Sequence, residues 1–421
     1  MESNESQIEV RVKHQIEILN ILRREKATIT ELANSSDISF TAMSKIVDEL
    51  VQERLLIYSG KNKTSGRGRK PIGVEINNDL GVVCVIDFAS RDARIILSTL
   101  DSKIVVEEYI PAFGLITKEL LNKVEGIIRK LLDAPEVNKR PLLSICIVSP
   151  GIIRPDDYSF VDSRLVSSDD IGKVNPVSYF ANAFDVKVEM HNDVRIGCYG
   201  ELKYGVFPKE VFNGLFIHLG HASGLALIIN GKIYTGSHNS SGETACYTEN
   251  SGDEILNSSF WNGRFYPLGE INNRIHELNI EKEGKYNSDL KRNFNYDLDK
   301  ILEGFNNNDK SIVRAVEESA KRNAITIIGL ATILDVEFIV IEGKILSLGE
   351  HYVNLMRKYI SDFDQKDLRT RIIISTLKED CEVLGACYKA TSIFLFDKLE
   401  AIAKKRTKSS KFVLDKSFKE L

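Results

Sequence analysis

The chain has 421 residues, of which 43% are hydrophobic and 28% are charged. It is longer than one ordinary domain and has the composition of a folded globular protein, which excludes disordered, collagen-like and coiled-coil classes. The polar N-terminus lacks the apolar core of a signal peptide, and no run of about eighteen apolar residues could span a membrane. We therefore expect a cytoplasmic protein without a membrane partner. The net charge of -4 does not identify a partner, because a basic patch can lie on an acidic protein.

Six cysteines lie far apart in the sequence, and no two form a C-x-x-C pair: Cys84, Cys146, Cys198, Cys246, Cys381 and Cys387. Zinc sites usually draw their ligands from closely spaced pairs, so the spacing indicates no metal site. Four of the six lie in apolar surroundings. This pattern favours buried free thiols in a reducing compartment.

Residues 11–57 have the periodicity of three helices. In the first helix, apolar residues recur at helical spacing at Val12, Ile16, Leu19 and Leu22. Thr30 is positioned to cap a short second helix. The third helix follows Ser39, a good N-cap residue, and its apolar face is formed by Met43, Ile46, Val47 and Leu50. A short helix, a turn at 36–39 and a longer helix have the proportions of a helix-turn-helix motif.

The opposite face of the third helix carries side chains that can reach nucleic acid. It contains Phe40, Thr41, Ser44, Lys45 and Asp48. Hydroxyl and ammonium groups near the start of such a helix contact phosphates and base edges. The residues that we predict to bind DNA from this helix are Ser39, Thr41, Ser44 and Lys45. The alternative is that the three helices form a scaffold for protein contacts.

A basic, glycine-rich segment follows the third helix. Residues 54–71 contain six basic residues and no acidic one. Strand-like runs at 55–58 and 73–76 flank it, which predicts a β-hairpin wing. Its tip alternates glycine with Arg67 and Arg69, and arginines favour a narrow, electronegative minor groove. A solvated basic linker is the alternative, but the position after a helix-turn-helix favours DNA contact. Residues 1–76 are thus predicted to form a winged helix-turn-helix DNA-binding domain.

From residue 77 to residue 400, strand-like and helical patterns alternate, which is typical of an α/β fold. The clearest strand patterns lie at 82–87, 94–99, 104–110, 142–148, 215–219 and 338–341. The clearest helical patterns lie at 117–132, 193–204, 311–334 and 382–399. The length allows two lobes of ordinary size. The polar, weakly periodic segment 247–309 is predicted to be an excursion from the second lobe.

Five short motifs follow one another along the chain: VSPG at 148–151, EMHND at 189–193, IHLG at 217–220, GE at 242–243 and LGA at 384–386. With the basic run SGRGRKP at 65–71, their order and spacing resemble the ROK family of repressors, open reading frames and sugar kinases. The resemblance implies a winged helix-turn-helix followed by a two-lobed, actin- and hexokinase-like body. It implies a small lobe at 77–190, joined by the C-terminal helix at 386–421, and a large lobe at 191–385. It also implies a homodimer or homotetramer.

The positions that hold ATP in kinases of this family differ in this chain. The first phosphate motif of the family is D-x-G-G-T, where this chain has DFASR at 87–91. The second loop, GHASGLA at 220–226, lacks three of the glycines of G-T-G-I-G-G-G. Larger residues remove the backbone freedom with which glycine wraps a phosphate. Glu342, in the run on the adenosine side, would repel phosphates. We therefore expect no ATP use, no catalytic residue and no cofactor.

The resemblance also bears on metal and sugar binding. The zinc motif C-x-C-G-x-x-G-C is absent, because no cysteine follows Cys246 before Cys381. We expect no zinc. Asp193 stands at the position of the family's catalytic base, and Asn192 at a position that binds sugar hydroxyls. Glu243 is a further hydroxyl acceptor. These last three residues are predicted to bind a sugar or sugar-phosphate effector. The alternative is that Asp193 caps the helix at 194–204 and that Glu243 is an ordinary loop residue.

Three hypotheses remain open. The leading one is a transcriptional regulator of carbohydrate metabolism, a repressor that binds double-stranded operator DNA through its winged helix and senses a sugar in a degenerate kinase-like body. The second is an active ATP-dependent sugar kinase with an N-terminal extension, which the intact Asp193 favours and the altered phosphate loops oppose. The third is a ligand-independent DNA-binding dimer whose body supplies only the dimer interface.

Overall fold

The computed structural model describes residues 2–36, 38–59, 73–89, 92–111, 115–162, 174–208, 211–243, 265–282, 298–363, 369–378, 380–407 and 414. The chain divides into two compact units, one of Met1–Ile196 with Val383–Leu421 and one of Gly197–Glu382. Both units combine helices with a β-sheet, so the predicted α/β class is confirmed. Within the ranges given above, no helix is both long and apolar enough to cross a membrane.

The first unit begins with three helices and a small sheet, in agreement with the predicted winged helix. Its elements are α1 (Glu2–Leu22), β1 (Ala27–Thr28), α2 (Ile29–Ser35), α3 (Phe40–Gln52), β2 (Leu56–Ser59) and β3 (Gly73–Ile76). β3 lies between β1 and β2 and is antiparallel to both. The four apolar residues of α3 that were predicted to face inward are all buried. The predicted wing tip at 60–72 lies outside the described residues.

The start of α2 differs from the prediction. Thr28, and not Thr30, is the N-cap, because its hydroxyl accepts a hydrogen bond from the Glu31 backbone N–H at 3.2 Å. The Glu31 carboxylate accepts one in return from the Thr28 N–H at 2.7 Å, which completes a capping box. A threonine three residues before a glutamate satisfies two backbone N–H groups, whereas Thr30 already lies within the first turn.

A five-stranded sheet follows the winged helix in the first unit. It is built from β4 (Val82–Asp87), β5 (Asp92–Ser98), β6 (Ile104–Pro111), β7 (Leu142–Ser149) and β10 (Lys187–Asn192), in the spatial order β10-β7-β4-β5-β6. β4, β5 and β6 form an antiparallel meander, whereas β7 is parallel to both β4 and β10. This unit also contains α4 (Lys118–Leu132), α5 (Pro176–Phe184) and a small hairpin of β8 (Ile152–Ile153) and β9 (Phe160–Asp162).

The second unit contains another five-stranded sheet, of order β13-β12-β11-β14-β15. Its strands are β11 (Gly214–Leu219), β12 (Ser223–Ile229), β13 (Lys232–Tyr234), β14 (Phe338–Glu342) and β15 (Arg371–Ile374). β11, β14 and β15 are parallel, whereas β12 is antiparallel to β11 and to β13. Asn230 and Gly231 form the turn between β12 and β13, and both have a positive φ (53° and 74°), as a tight two-residue hairpin loop requires.

Two helices of the second unit lie in the segment 247–309, where the sequence predicts an excursion. These two are α7 (Leu268–Lys282) and α8 (Leu298–Asn306). The other helices described in this unit are α6 (Asp193–Tyr204), which starts at the end of the first unit, α9 (Lys310–Leu334) and α10 (Gly349–Phe363). Leu268, Ile271 and Leu278 of α7 and Ile301 of α8 are buried in the core of the unit. These two helices pack in the core of the unit through a few apolar residues, and the rest of the segment 247–309 lies outside the described residues.

The last helix, α11 (Asp380–Thr407), is the common partner of the winged helix and the first sheet. It starts in the second unit and belongs to the first from Val383 onwards. There its apolar residues share one core with Val83 and Val85 of β4 and with the inner residues of α1, α2 and α3. The alternate residues of β4 pack in a separate core with α4 and α5. β4 is thus buried on both faces, which explains its continuous apolar run.

Polar contacts fix the end of α1 on α11. Arg23 is only 3% exposed, and its guanidinium donates a hydrogen bond to Ser392 Oγ at 3.0 Å. The guanidinium carbon lies 4.4 Å from the ring centroid of Tyr388. The Tyr388 hydroxyl in turn donates to Asn20 Oδ1 at 3.0 Å. A buried cation requires such partners, so these contacts specify where the winged helix lies on α11.

Candidate functional site

The solvent face of α3 holds the residues that are predicted to bind DNA. Thr41 and Lys45 are exposed, and Ser44 is half-buried. Ser39 is the N-cap of α3, and its hydroxyl accepts a hydrogen bond from the Ala42 N–H at 3.3 Å. Because these residues lie together at the start of a single helix, they can enter one groove of a duplex together.

The wing strand β2 packs against the second half of α3. The hydroxyl of Tyr58 on β2 donates a hydrogen bond to the Asp48 carboxylate on α3. Partial burial and this carboxylate raise the pKa of Tyr58 to about 12, so the hydroxyl remains a donor at neutral pH. The contact fixes the base of the wing beside α3. Arg67 and Arg69, which are predicted to contact DNA, lie outside the described residues.

Two further carboxylates near the end of α3 are held by basic residues. Glu49 forms ion pairs with Arg11 of α1, at 2.7 Å, and with Arg406 of α11. Glu53, which follows α3, pairs with Lys405 of α11 at 3.2 Å. Exposed ion pairs each contribute only about 0–1 kcal/mol. Their main consequence is geometric, because together they fix α3 relative to α1 and α11.

Asn192 and Asp193 lie in the first unit, where β10 ends and α6 begins. Asn192 Oδ1 accepts a hydrogen bond from the Arg195 N–H at 3.2 Å, and Asn192 Nδ2 donates to the Gly151 carbonyl at 3.3 Å. Asp193 Oδ1 accepts from the Val194 N–H at 2.9 Å. The bond to Arg195 has N-cap geometry, so Asn192 performs the capping role that the alternative interpretation gives to Asp193. The VSPG turn and the EMHND segment therefore meet at this point.

Glu243 lies in the second unit, in the segment that follows β13. Gly242 before it has a φ of +88°, and a Cβ atom there would overlap the Leu225 carbonyl oxygen of β12. Only glycine fits this close approach, which accounts for the GE pair. Glu243 is half-buried, and its N–H donates to the Ser240 carbonyl at 3.3 Å. The carboxylate is thus carried by a turn whose backbone is held in place.

Residues that stand in place of the first phosphate motif pack into the core of the first unit. Phe88 is 2% exposed and packs in the same core as α4 and α5. Its N–H donates to the Val148 carbonyl at 2.9 Å, and the Ala89 N–H donates to the buried Asp87 carboxylate at 2.7 Å. A phosphate-binding loop needs backbone N–H groups that point at the ligand. These two N–H groups are directed to partners within the protein.

A histidine and a glutamate lie side by side at the carboxyl ends of β11, which precedes the second phosphate loop, and β14. His218 of β11 and Glu342 of β14 are aligned in parallel strands, and His218 Nδ1 lies 2.6 Å from Glu342 Oε2. Glu342 is 1% exposed. Gly343 follows with a φ of +117°, and a Cβ there would overlap the Leu219 backbone. The sequence indicated that Glu342 would repel phosphates but gave no signal for its pairing with His218.

A second buried carboxylate lies in the same unit and was missed by sequence reasoning. Glu201 of α6 is fully buried and accepts hydrogen bonds from the Ser375 hydroxyl and from the Val206 N–H, the latter at 3.0 Å. Burial raises the pKa of Glu201, and the negative charge of Glu342 raises it further, whereas the two hydrogen bonds lower it. Carboxylates that already repel each other are a poor environment for another anion such as a phosphate.

The five cysteines that the structure describes do not fit a structural zinc site. Five of them are buried free thiols, as predicted: Cys84, Cys146, Cys198, Cys381 and Cys387. Burial raises the pKa of each of these thiols and so disfavours the thiolate that binds a metal. Cys246 lies outside the described residues, and the next cysteine in the sequence is Cys381.

The fold is a winged helix joined to an α/β body of two five-stranded sheets. The ROK family matches residues 83–248 and 278–392, which is more than half of the chain. The chain therefore belongs to the ROK family, and the predicted resemblance is confirmed.

Known proteins resemble the chain both in sequence and in fold. The xylose repressor of Caldicellulosiruptor bescii is 24% identical over 369 residues, which cover 85% of this chain and 89% of that repressor. The crystal structure of a ROK family transcriptional regulator, a homolog of the E. coli MLC protein, matches with a TM-score of 0.70 at 16% identity and covers 94% of this chain and 99% of that one. The ROK hexokinase from Thermus thermophilus matches with a TM-score of 0.56 at 14% identity, over 73% of this chain and 97% of the hexokinase. The fold class is thus confirmed.

The cap at the start of α6 can be tested by substitution. Asn192→Ala should lower the free energy of unfolding by about 1 kcal/mol, since α6 loses its N-cap. Asn192→Asp keeps the acceptor for the Arg195 N–H but loses the donor to the Gly151 carbonyl, so it should recover only part of this loss. Urea unfolding followed by circular dichroism measures both, and Asn34→Ala, at an exposed residue within α2, is the control. Equal losses for the alanine and aspartate variants would contradict the capping role.

Proposed function

We propose that this chain is a transcriptional repressor that binds operator DNA through its winged helix and responds to a sugar or sugar derivative. Two observations together support the proposal. α3 exposes Thr41 and Lys45 on one side, as a DNA-reading helix does. The first phosphate motif of the family is folded into the core at Phe88. The name of the xylose repressor from C. bescii supports both DNA binding and a sugar ligand.

The proposed DNA contacts follow from the chemistry of each residue. Lys45 donates to a phosphate or a guanine edge, and the hydroxyls of Thr41 and Ser44 bond to phosphates or base edges. Ser39 caps the start of α3, and the positive end of the helix dipole at this point would face a phosphate. We propose that Arg67 and Arg69 extend from the wing into an adjacent minor groove.

We propose that Asp193 of the first unit accepts hydrogen bonds from the hydroxyls of a sugar effector through its carboxylate oxygens, and we propose the same role, taken by itself, for Glu243 of the second unit. Asn192 acts less directly, because both ends of its amide already bond to backbone groups, so its role is to position Asp193. A carboxylate repels a phosphate, so each of these residues favours an uncharged sugar over a sugar phosphate. A pentose such as xylose is the first ligand to test, given the name of the relative.

The response would be a population shift between two conformations that hold the winged helix differently. α11 begins in the second unit and contacts Glu49 and Glu53 in the first through Arg406 and Lys405. It is therefore the element through which we propose that a ligand-dependent change reaches α3. A cytoplasmic homodimer or homotetramer would match a palindromic operator by its two-fold symmetry.

The contribution of the wing can be measured through salt dependence. Changing Arg67 and Arg69 together to alanine should weaken operator binding and reduce the slope of log affinity against log salt by up to about two, one for each positive charge removed from the duplex. Fluorescence anisotropy with labelled operator between about 50 and 200 mM salt measures the slope. The double variant Lys118→Ala, Lys123→Ala removes the same charge from the exposed face of α4 and is the control. An unchanged slope and affinity would remove the wing from the interface.

The purified protein should not transfer phosphate. With ATP, magnesium and a panel of pentoses and hexoses, it should release no ADP in response to sugar, because buried Phe88 stands in the first phosphate motif and buried Glu342 in the adenosine-side run. A coupled ADP assay measures this, with the T. thermophilus hexokinase as positive control. Sugar-dependent turnover that Asp193→Asn abolishes would instead support the sugar kinase hypothesis.

An effector sugar should change operator affinity by a modest coupling free energy of about 1–3 kcal/mol. Glu243→Ala should abolish this response and leave ligand-free affinity near wild type, since Glu243 belongs to the second unit and α3 to the first. Glu317→Ala, at an exposed residue of α9, is the control. If no sugar changes the thermal midpoint or the operator affinity, sensing is contradicted, and the ligand-independent dimer becomes the better hypothesis.

A further inference from the structure

The exposed side of α3 is divided by charge along its length. Its first half carries Thr41, Ser44 and Lys45 and contains no carboxylate. Its second half carries Asp48, which bonds to the Tyr58 hydroxyl and is followed by the paired Glu49 and Glu53. Carboxylates are repelled by the phosphates of a duplex, so the first half of α3 is the part that can approach DNA most closely.

Phe40 is the first residue of this half, which contains no carboxylate. Its side chain is 56% exposed, although the apolar residues on the inner side of α3 are buried completely or nearly so. A single exposed apolar side chain is common on protein surfaces, so the exposure alone carries no conclusion. The place of Phe40 at the start of α3 does support one, because the first residues of a recognition helix are those that contact base edges in the major groove.

A phenyl ring has neither a hydrogen-bond donor nor an acceptor, so it cannot read the polar pattern of a base edge. The apolar group that a base pair presents in the major groove is the C5-methyl of thymine. We propose that Phe40 is a specificity-determining residue that packs against a thymine C5-methyl in the operator. This inference rests on the proposed DNA binding and adds one preferred base to it.

The inference is tested by removing the methyl group from the DNA. An operator is first selected from a random duplex pool with the full-length protein. Each thymine of the selected duplex is then replaced by uracil, which lacks only the C5-methyl. The wild-type protein should lose affinity about three- to fivefold at one thymine, as expected for one methyl group that is no longer buried. Phe40→Ala should bind the unmodified operator more weakly and show no loss at that uracil. Phe40→Leu should keep part of the loss.

A matched control separates this role from a general loss of apolar surface. Val10 is an exposed apolar residue of α1, 51% exposed, and Val10→Ala should keep the full response to uracil. Thermal unfolding midpoints of the Phe40 variants should stay near wild type, because the side chain is exposed. The inference is overturned if the wild type responds to uracil at no position, as would follow from a ring inserted between base steps, or if Phe40→Ala responds equally. Failure to select any duplex would overturn the proposed DNA binding itself, and this inference with it.

Discussion

The first unit depends on one apolar core that α11 shares with both the winged helix and the sheet. Ala390 and Leu399 of α11 belong to the same buried cluster as Leu50 of α3 and Val85 of β4. Because a single helix covers the apolar surface of both parts, neither can separate from α11 without exposing that surface to water. The buried Arg23 adds polar contacts to this attachment, since it bonds to Ser392 and lies over the ring of Tyr388, one helical turn apart on α11.

Two segments that resemble nucleotide motifs of the family's kinases are held by contacts within the protein. Phe88 turns into the core, and its backbone N–H bonds to Val148. Glu342 is buried beside His218. A buried carboxylate needs a hydrogen-bond partner, and the His218 ring supplies one at 2.6 Å.

Strong local patterns made much of the fold predictable. The apolar face of α3 and the apolar run of β4 each have a pattern that specifies one structure. The pairing of His218 with Glu342 was not predictable, because 124 residues separate them and only the sheet brings them together.

The sequence also did not show which residue caps α6. Asn192 and its neighbour Asp193 are both good capping residues, and the backbone conformation decides between them. The ligand role of Asp193 and Glu243 stays a prediction, as does the DNA contact of the wing arginines. Residue types at matching positions indicate such roles, but local patterns in one sequence do not establish what those residues bind.

α11 also sets a fixed spacing along the first unit. Tyr388, which contacts Asn20, and Arg406, which contacts Glu49, lie eighteen residues apart on this helix. Eighteen residues make about five helical turns and roughly 27 Å, so both side chains project from the same side. One inserted residue between them would rotate one contact by about 100° relative to the other. The helical phase therefore restricts how this segment can evolve: substitutions are tolerated wherever they preserve the buried face, whereas its length can change only by nearly whole turns, for example by about seven residues.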